Sequence, residues 1–112
     1  MKLVLEQAAF LLDVCKLINF ATEKGFVVTG GELARPMEMQ QLYKASGKTR
    51  TLLSQHLLRL AIDLNFFFEG KLVQSKGPLQ VLGDYWESLH PQNRWGGNWK
   101  SFVDCPHFER RT

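Results

Sequence analysis

Two cysteines in 112 residues, Cys15 and Cys105, are too few for the disulfide framework of a small secreted scaffold. Cys15 falls on the apolar face of a predicted helix, as expected of a chain made in a reducing cytosol. Long hydrophobic runs are also missing. Glu6 and Asp13 interrupt the apolar stretch from Met1 to Phe20, and no small-residue cleavage site follows it. Neither a signal peptide nor a bilayer-spanning helix is therefore expected. No internal repeat, low-complexity tract or linker-like segment divides the chain, so residues 1–112 are expected to form a single domain. The formal net charge is only +3. Such mild basicity suits any polyanion, whether nucleic acid, an anionic wall or a membrane face, and selects none of them. Apolar surface is plentiful, with 45% hydrophobic and 12% aromatic residues, enough to supply a core.

Apolar residues recur at spacings of three and four from about Glu6 to Lys24 (Phe10, Leu11, Val14, Leu17, Ile18, Ala21), and Gly25 follows. That pattern predicts an amphipathic helix with a glycine cap. Phe26 to Val28 reads as a short strand entering a tight loop at Thr29-Gly30-Gly31. Pro36 suits the first turn of a second helix reaching about Ala45. Between Leu52 and Phe68 two periods compete. A separation of seven puts His56 and Asp63 on one helix face, whereas alternation puts Ile62, Leu64, Phe66 and Phe68 on one strand face. A strand is preferred for residues 60–68, because three consecutive phenylalanines suit a sheet buried on both faces. Glu69-Gly70 then turns into a returning strand at Lys71 to Gln74. Gly77-Pro78 opens a third helix over about Leu79 to Leu89, closed by His90-Pro91. The remainder is read as loop followed by a short strand near the C-terminus.

Three residues have the chemistry of catalytic metal ligands: His56 and Asp63 in Ser54-x-His56-x6-Asp63, and His107 in Asp104-x-x-His107-Phe108-Glu109. A catalytic zinc takes three nitrogen or oxygen ligands and keeps a fourth position for water. Two imidazoles and one carboxylate meet that count and leave the site net positive, which favours deprotonation of the water. Asp104, three residues before His107, is the candidate general base. Neither spacing is specific alone, and both also occur in purely structural settings.

Their conjunction with flanking residues is specific. Thr29-Gly30-Gly31 to Arg35, Gln40-Gln41-Leu42-Tyr43, Gly47-Lys48-Thr49, Ser54 to Leu64, Trp95-Gly96-Gly97-Asn98-Trp99 and Asp104 to Glu109 occur in that order. Together they resemble the D-Ala-D-Ala metallopeptidase group, and most of all its phage endolysins that cleave between L-Ala and D-Glu of peptidoglycan stems. The resemblance covers about three quarters of the chain, roughly Phe26 to Glu109. It implies an α+β fold of the hedgehog/DD-peptidase-like kind, with helices packed on one side of a small antiparallel sheet and Zn2+ on the open face. It also implies His56, Asp63 and His107 as zinc ligands, Asp104 as the acid that activates water, and Arg35 as an arginine facing substrate. Many members of the group carry Glu where this chain has Asp104.

Several residues keep two readings. Arg35 would offer planar donors to a substrate carboxylate or oxyanion, or is a solvated charge at a loop-helix junction. Ser54 hydrogen-bonds near the metal or merely begins a strand. Glu109 orients a ligand histidine or is an exposed acid at a strand end. Trp86, Trp95 and Trp99 line a groove for a peptide-sugar polymer or belong to the core. Cys105 is assigned to packing and His90 to the surface. The resemblance implies a monomeric zinc peptidase acting on a peptidoglycan stem peptide, with L-Ala–D-Glu favoured over D-Ala-D-Ala. Neither a nucleic-acid partner nor stable membrane insertion is expected. It would be made in a host bacterial cytoplasm and act in the wall after release. The alternatives are a D-Ala-D-Ala carboxypeptidase or dipeptidase of the same fold, and a non-catalytic, zinc-stabilised wall-binding module.

Overall fold

A computed structural model describes residues 1–31 and 58–111. Their elements are α1 (Lys2–Glu23), β1 (Val27–Gly30), β2 (Ala61–Phe68), β3 (Lys71–Val73), α2 (Lys76–Leu89), β4 (Asn93–Trp95), a 3-10 turn at Gly96–Asn98, and β5 (His107–Arg110). The expected second helix at residues 36–45 lies outside the described residues, as do Arg35, Ser54 and His56.

Of the predicted stripe α1 buries Phe10, Val14, Leu17 and Ala21 and half-buries Ile18, whereas Leu11 is exposed, one position off the packed face. The helix begins at Lys2 rather than near Glu6, because Leu3, Val4 and Leu5 extend it while remaining exposed. Cys15 is exposed rather than on the packed face, contrary to expectation. The helix ends in a Schellman arrangement: the Phe26 N–H donates to Ala21 O, the Gly25 N–H donates to Thr22 O, and Gly25 has φ +96°.

β2 is the central strand. β1 pairs with its residues 64–67 and β3 with residues 66–68, so these two take opposite edges. β5 pairs antiparallel with residues 61–63, β4 lies outside β5, and the sheet order is β1-β2-β5-β4. Thr29 and Gly30 extend β1 instead of forming the expected loop, pairing with Asn65 and Leu64 on an exposed edge where glycine costs little packing. The phenylalanine run is not buried on both faces. Phe66 is enclosed, Phe67 is half-buried and Phe68 is 40% exposed beside the hairpin turn. Among the described residues the helices lie on one sheet face, and residues of odd number on β2 point away from it.

α2 starts at Lys76, before the expected Leu79, with Pro78 in the first turn, where its missing N–H has no helical partner to lose. β4 was expected to be loop; three residues give too short an alternation to register as a period. Trp86 and Trp95 are core residues, each fully buried. Phe108 sits among them, its ring 5.8 Å from Phe66, 5.9 Å from Trp86 and 6.4 Å from Trp95. Phe10 of α1 meets Trp86 of α2 edge-on at 5.6 Å. The described residues thus form the α+β architecture expected, with two helices against one face of a small antiparallel sheet. Among the described residues no helix is long and apolar enough to cross a membrane.

All four residues of β5 are buried, in a strand that lies between β2 and β4 in the sheet and alternates its side chains between the two faces. Phe108 and Arg110 face the helices. His107 and Glu109 face the other way, onto the surface where β2 places Asp63.

Candidate metal centre

Asp63 and His107 are direct partners in the β2–β5 register, and cross-strand partners hold their side chains side by side. His107 Nδ1 lies 3.3 Å from Asp63 Oδ1. Asp104 reaches the same place from the loop before β5. Its N–H donates to Gly96 O at 3.0 Å, its carbonyl accepts the His107 N–H at 3.1 Å, and the Trp95 indole N–H holds the next carbonyl, Cys105 O, at 2.8 Å. A Cβ on Gly96 would stand 2.2 Å from Asp104 O and 3.0 Å from the His107 Cβ, so only glycine lets this loop close on the strand. One donor atom each from Asp63, Asp104 and His107 lies within 4.8 Å of the others.

The opposite edge of the imidazole is also held. His107 Nε2 is 2.7 Å from Glu109 Oε1, and Arg111 Nε donates to Glu109 Oε2 at 2.8 Å. Burial alone would depress the His107 pKa, but the hydrogen bonds and negative charges of Asp63 and Glu109 outweigh it and raise the ring to about 9. Glu109 shows the converse: burial opposes its charge, yet His107 and Arg111 keep its carboxyl below the usual range. The Cys105 thiol is pushed up by burial and by the neighbouring Asp104 charge, so it stays protonated and packs rather than ligates.

The residues present fit a zinc ion. A buried imidazole and two half-buried carboxylates on separate segments offer nitrogen and oxygen donors at close range, the donor chemistry zinc takes at catalytic sites. Of the predicted residues, Asp63, Asp104 and His107 are thus brought together, while His56 and Arg35 lie outside the described residues. Glu109 is buried and bonded to His107, so it is not the exposed strand-end acid of its second reading. Trp99 was left open among groove and core, and its half-buried ring lies against His107 with centroids 4.9 Å apart. Arg111 gave no signal in the sequence. It follows the last residue of β5 and reaches back to Glu109, a contact that only the folded strand reveals. His90 closes α2 and accepts the Gln92 N–H through Nδ1, away from this cluster.

A family profile described as D-alanyl-D-alanine carboxypeptidase matches residues 47–110, more than half of the chain. The chain belongs to this family. Its membership in the D-Ala-D-Ala metallopeptidase group agrees with the resemblance carried by the motifs. An L-alanyl-D-glutamate peptidase of Listeria phage A118 is 29% identical over 103 residues, covering 84% of this chain and 34% of that protein. The chain therefore spans about a third of the length of this curated relative. The crystal structure of the L-Ala D-Glu endopeptidase ChiX from Serratia marcescens has a similar fold, with a TM-score of 0.70, 24% identity, and coverage of 88% of this chain and 78% of that one. The family match begins after β1 and ends at Arg110, so it takes in β2, β5 and every described member of the cluster.

Proposed function

We propose that this chain is a zinc-dependent peptidase domain that hydrolyses a peptidoglycan stem-peptide bond, with L-Ala–D-Glu favoured. The observation that carries the reading is the convergence of Asp63, Asp104 and His107 within a chain of the D-alanyl-D-alanine carboxypeptidase family. His56, Asp63 and His107 would hold the ion. When bound, zinc supplies Lewis acidity toward the scissile carbonyl and acidifies a water. Asp104 would take the proton of the attacking water, a role supported by its carboxylate oxygen lying within 4.8 Å of the donor atoms of Asp63 and His107. Arg35 offers donors to the oxyanion or to a substrate carboxylate. The Trp99 ring shields one side of His107.

The preference for L-Ala–D-Glu follows the phage relative, whose name states that bond, and the same relative supports a role in phage lysis. On this reading the chain is a monomer made in the host cytoplasm that acts on the wall. Its formal charge of +3 favours adsorption to an anionic polymer, an attraction that salt weakens. A second reading, removal of a terminal D-Ala, is favoured by the description of the matching family. Digestion of purified peptidoglycan with and without a chelator, followed by mass spectrometry of the muropeptides, separates the two. New D-Glu amino termini support endopeptidase action, and loss of D-Ala alone supports the carboxypeptidase. If no bond is cut under any condition, the hydrolase reading fails and a wall-binding module takes its place.

A further inference from the structure

The Glu109 side chain is held more firmly than a strand-end acid requires. Its backbone is fixed from three directions: Ala61 pairs with it on one side, Arg94 pairs on the other, and the Trp86 indole N–H donates to its carbonyl at 3.2 Å. Both carboxylate oxygens are engaged, Oε1 with His107 Nε2 at 2.7 Å and Oε2 with Arg111 Nε at 2.8 Å. The Glu109 side chain is 8% exposed and that of His107 7%, so water does not compete for the bond between them. Arg111 is 53% exposed and approaches the carboxylate from the solvent side.

We propose that Glu109, fixed by Arg111, is a positioning residue that keeps the Nε2 edge of His107 occupied and turns the Nδ1 edge toward Asp63 and the metal. The inference rests on the zinc reading above. An imidazole has two nitrogens, and the one that meets a metal is chosen by the hydrogen bond that the other makes. With Oε1 accepting at Nε2, the lone pair of the neutral ring is at Nδ1, the atom 3.3 Å from Asp63 Oδ1. A flip of the ring would swap each nitrogen for a carbon and leave the buried Glu109 carboxylate facing Cε1 and Asp63 facing Cδ2. Arg111 contributes by holding Oε2, which stops the carboxylate from turning away from the ring.

The test uses the whole chain and reads zinc affinity by competition with a chromophoric chelator, together with the ring nitrogen shifts of His107 in ¹⁵N-labelled protein. Glu109→Ala is expected to weaken zinc binding about 10- to 100-fold, the range found when the carboxylate partner of a ligand histidine is removed. Glu109→Gln keeps an acceptor at the same place and is expected to recover most of that loss. In the parent chain the zinc-bound shift should appear at Nδ1, with Nε2 still carrying its proton. Arg111→Ala, at an exposed side chain, should fold normally and bind zinc several-fold more weakly. Should Glu109→Ala fail to fold, the Arg111 variant decides. Unchanged affinity in Glu109→Ala, or in Arg111→Ala where Glu109→Ala does not fold, overturns the proposal, as does a parent in which zinc shifts Nε2. A parent chain that takes up no zinc overturns the metal reading itself, a distinct result.

Discussion

Replacing Asp13 by alanine should cost this domain about a quarter to a half of a typical stability, because it strands a buried guanidinium. Arg110 projects from the helix-facing side of β5 with its side chain 2% exposed, and its Nη2 is paired with Asp13 Oδ2 on α1, a side chain only 10% exposed. Asn93 joins the two, accepting from Arg110 Nε at 3.0 Å and donating to Asp13 Oδ2 at 3.2 Å. Breaking a buried pair by removing one partner costs about 3–5 kcal/mol. Glu6, 3.8 Å from Arg110 Nη1 and 41% exposed, together with Asn93, retains part of the compensation, so the lower end applies. With an unfolding entropy of about 2.1 cal/mol/K per residue over 112 residues, a loss of about 3 kcal/mol lowers Tm by about 13 °C. Calorimetry, or thermal melting followed by circular dichroism, measures this directly. The double variant Asp13→Ala/Arg110→Met removes both charges and should recover part of the loss, since no buried charge is then stranded, while the buried Asn93 still loses its bonds to both. A drop of under about 1 kcal/mol in Asp13→Ala, or no recovery in the double variant, would refute the argument that an unpaired buried charge is the cause.

Gly83→Ala should destabilise despite improving helix propensity, because its Cβ would stand 2.0 Å from Cε3 of the fully buried Trp95. Overpacking of about 1–3 kcal/mol outweighs the gain of about 1 kcal/mol, and a denaturant melt that shows equal or higher stability contradicts this packing. Asp104→Asn should keep its zinc by elemental analysis yet lose most turnover, since it removes a proton acceptor and not a ligand; near-normal activity would mean another group is the base. His56→Ala should lose both zinc and activity, and stoichiometric zinc in that variant would show that the ligand assignment is wrong.

Much of the fold was legible because burial wrote a period into the chain. The stripe Phe10, Val14, Leu17, Ala21 marked α1, and the alternation Ile62, Leu64, Phe66 marked β2. β4 was not legible, since Asn93, Arg94 and Trp95 alternate only once, and a strand of that length is defined by its neighbour β5. Cys15 was misplaced because composition makes a cysteine look apolar, while the helix has a second apolar face that faces outward with Leu11 and Leu12. At the site, sequence order supplied Asp63, Asp104 and His107 through the motifs. It left Glu109 ambiguous and Arg111 unseen, because their roles depend on what β5 faces rather than on spacing to a partner.

β5 also separates what holds the domain together from what it does. Its alternation sends Phe108 and Arg110 into the helical layer, where they meet Trp86, Trp95 and Asp13, and sends His107 and Glu109 to the opposite face with Asp63. A substitution at Asp13 therefore acts on the strand from the side that carries no donor atom of the cluster. Below its lowered melting temperature the Asp13→Ala chain should bind zinc as tightly as the parent, whereas Glu109→Ala should lose affinity. If Asp13→Ala weakened zinc binding in the fully folded protein, the two faces of β5 would be coupled through the backbone, and the pairing with β2 and β4 would be less rigid than its register implies.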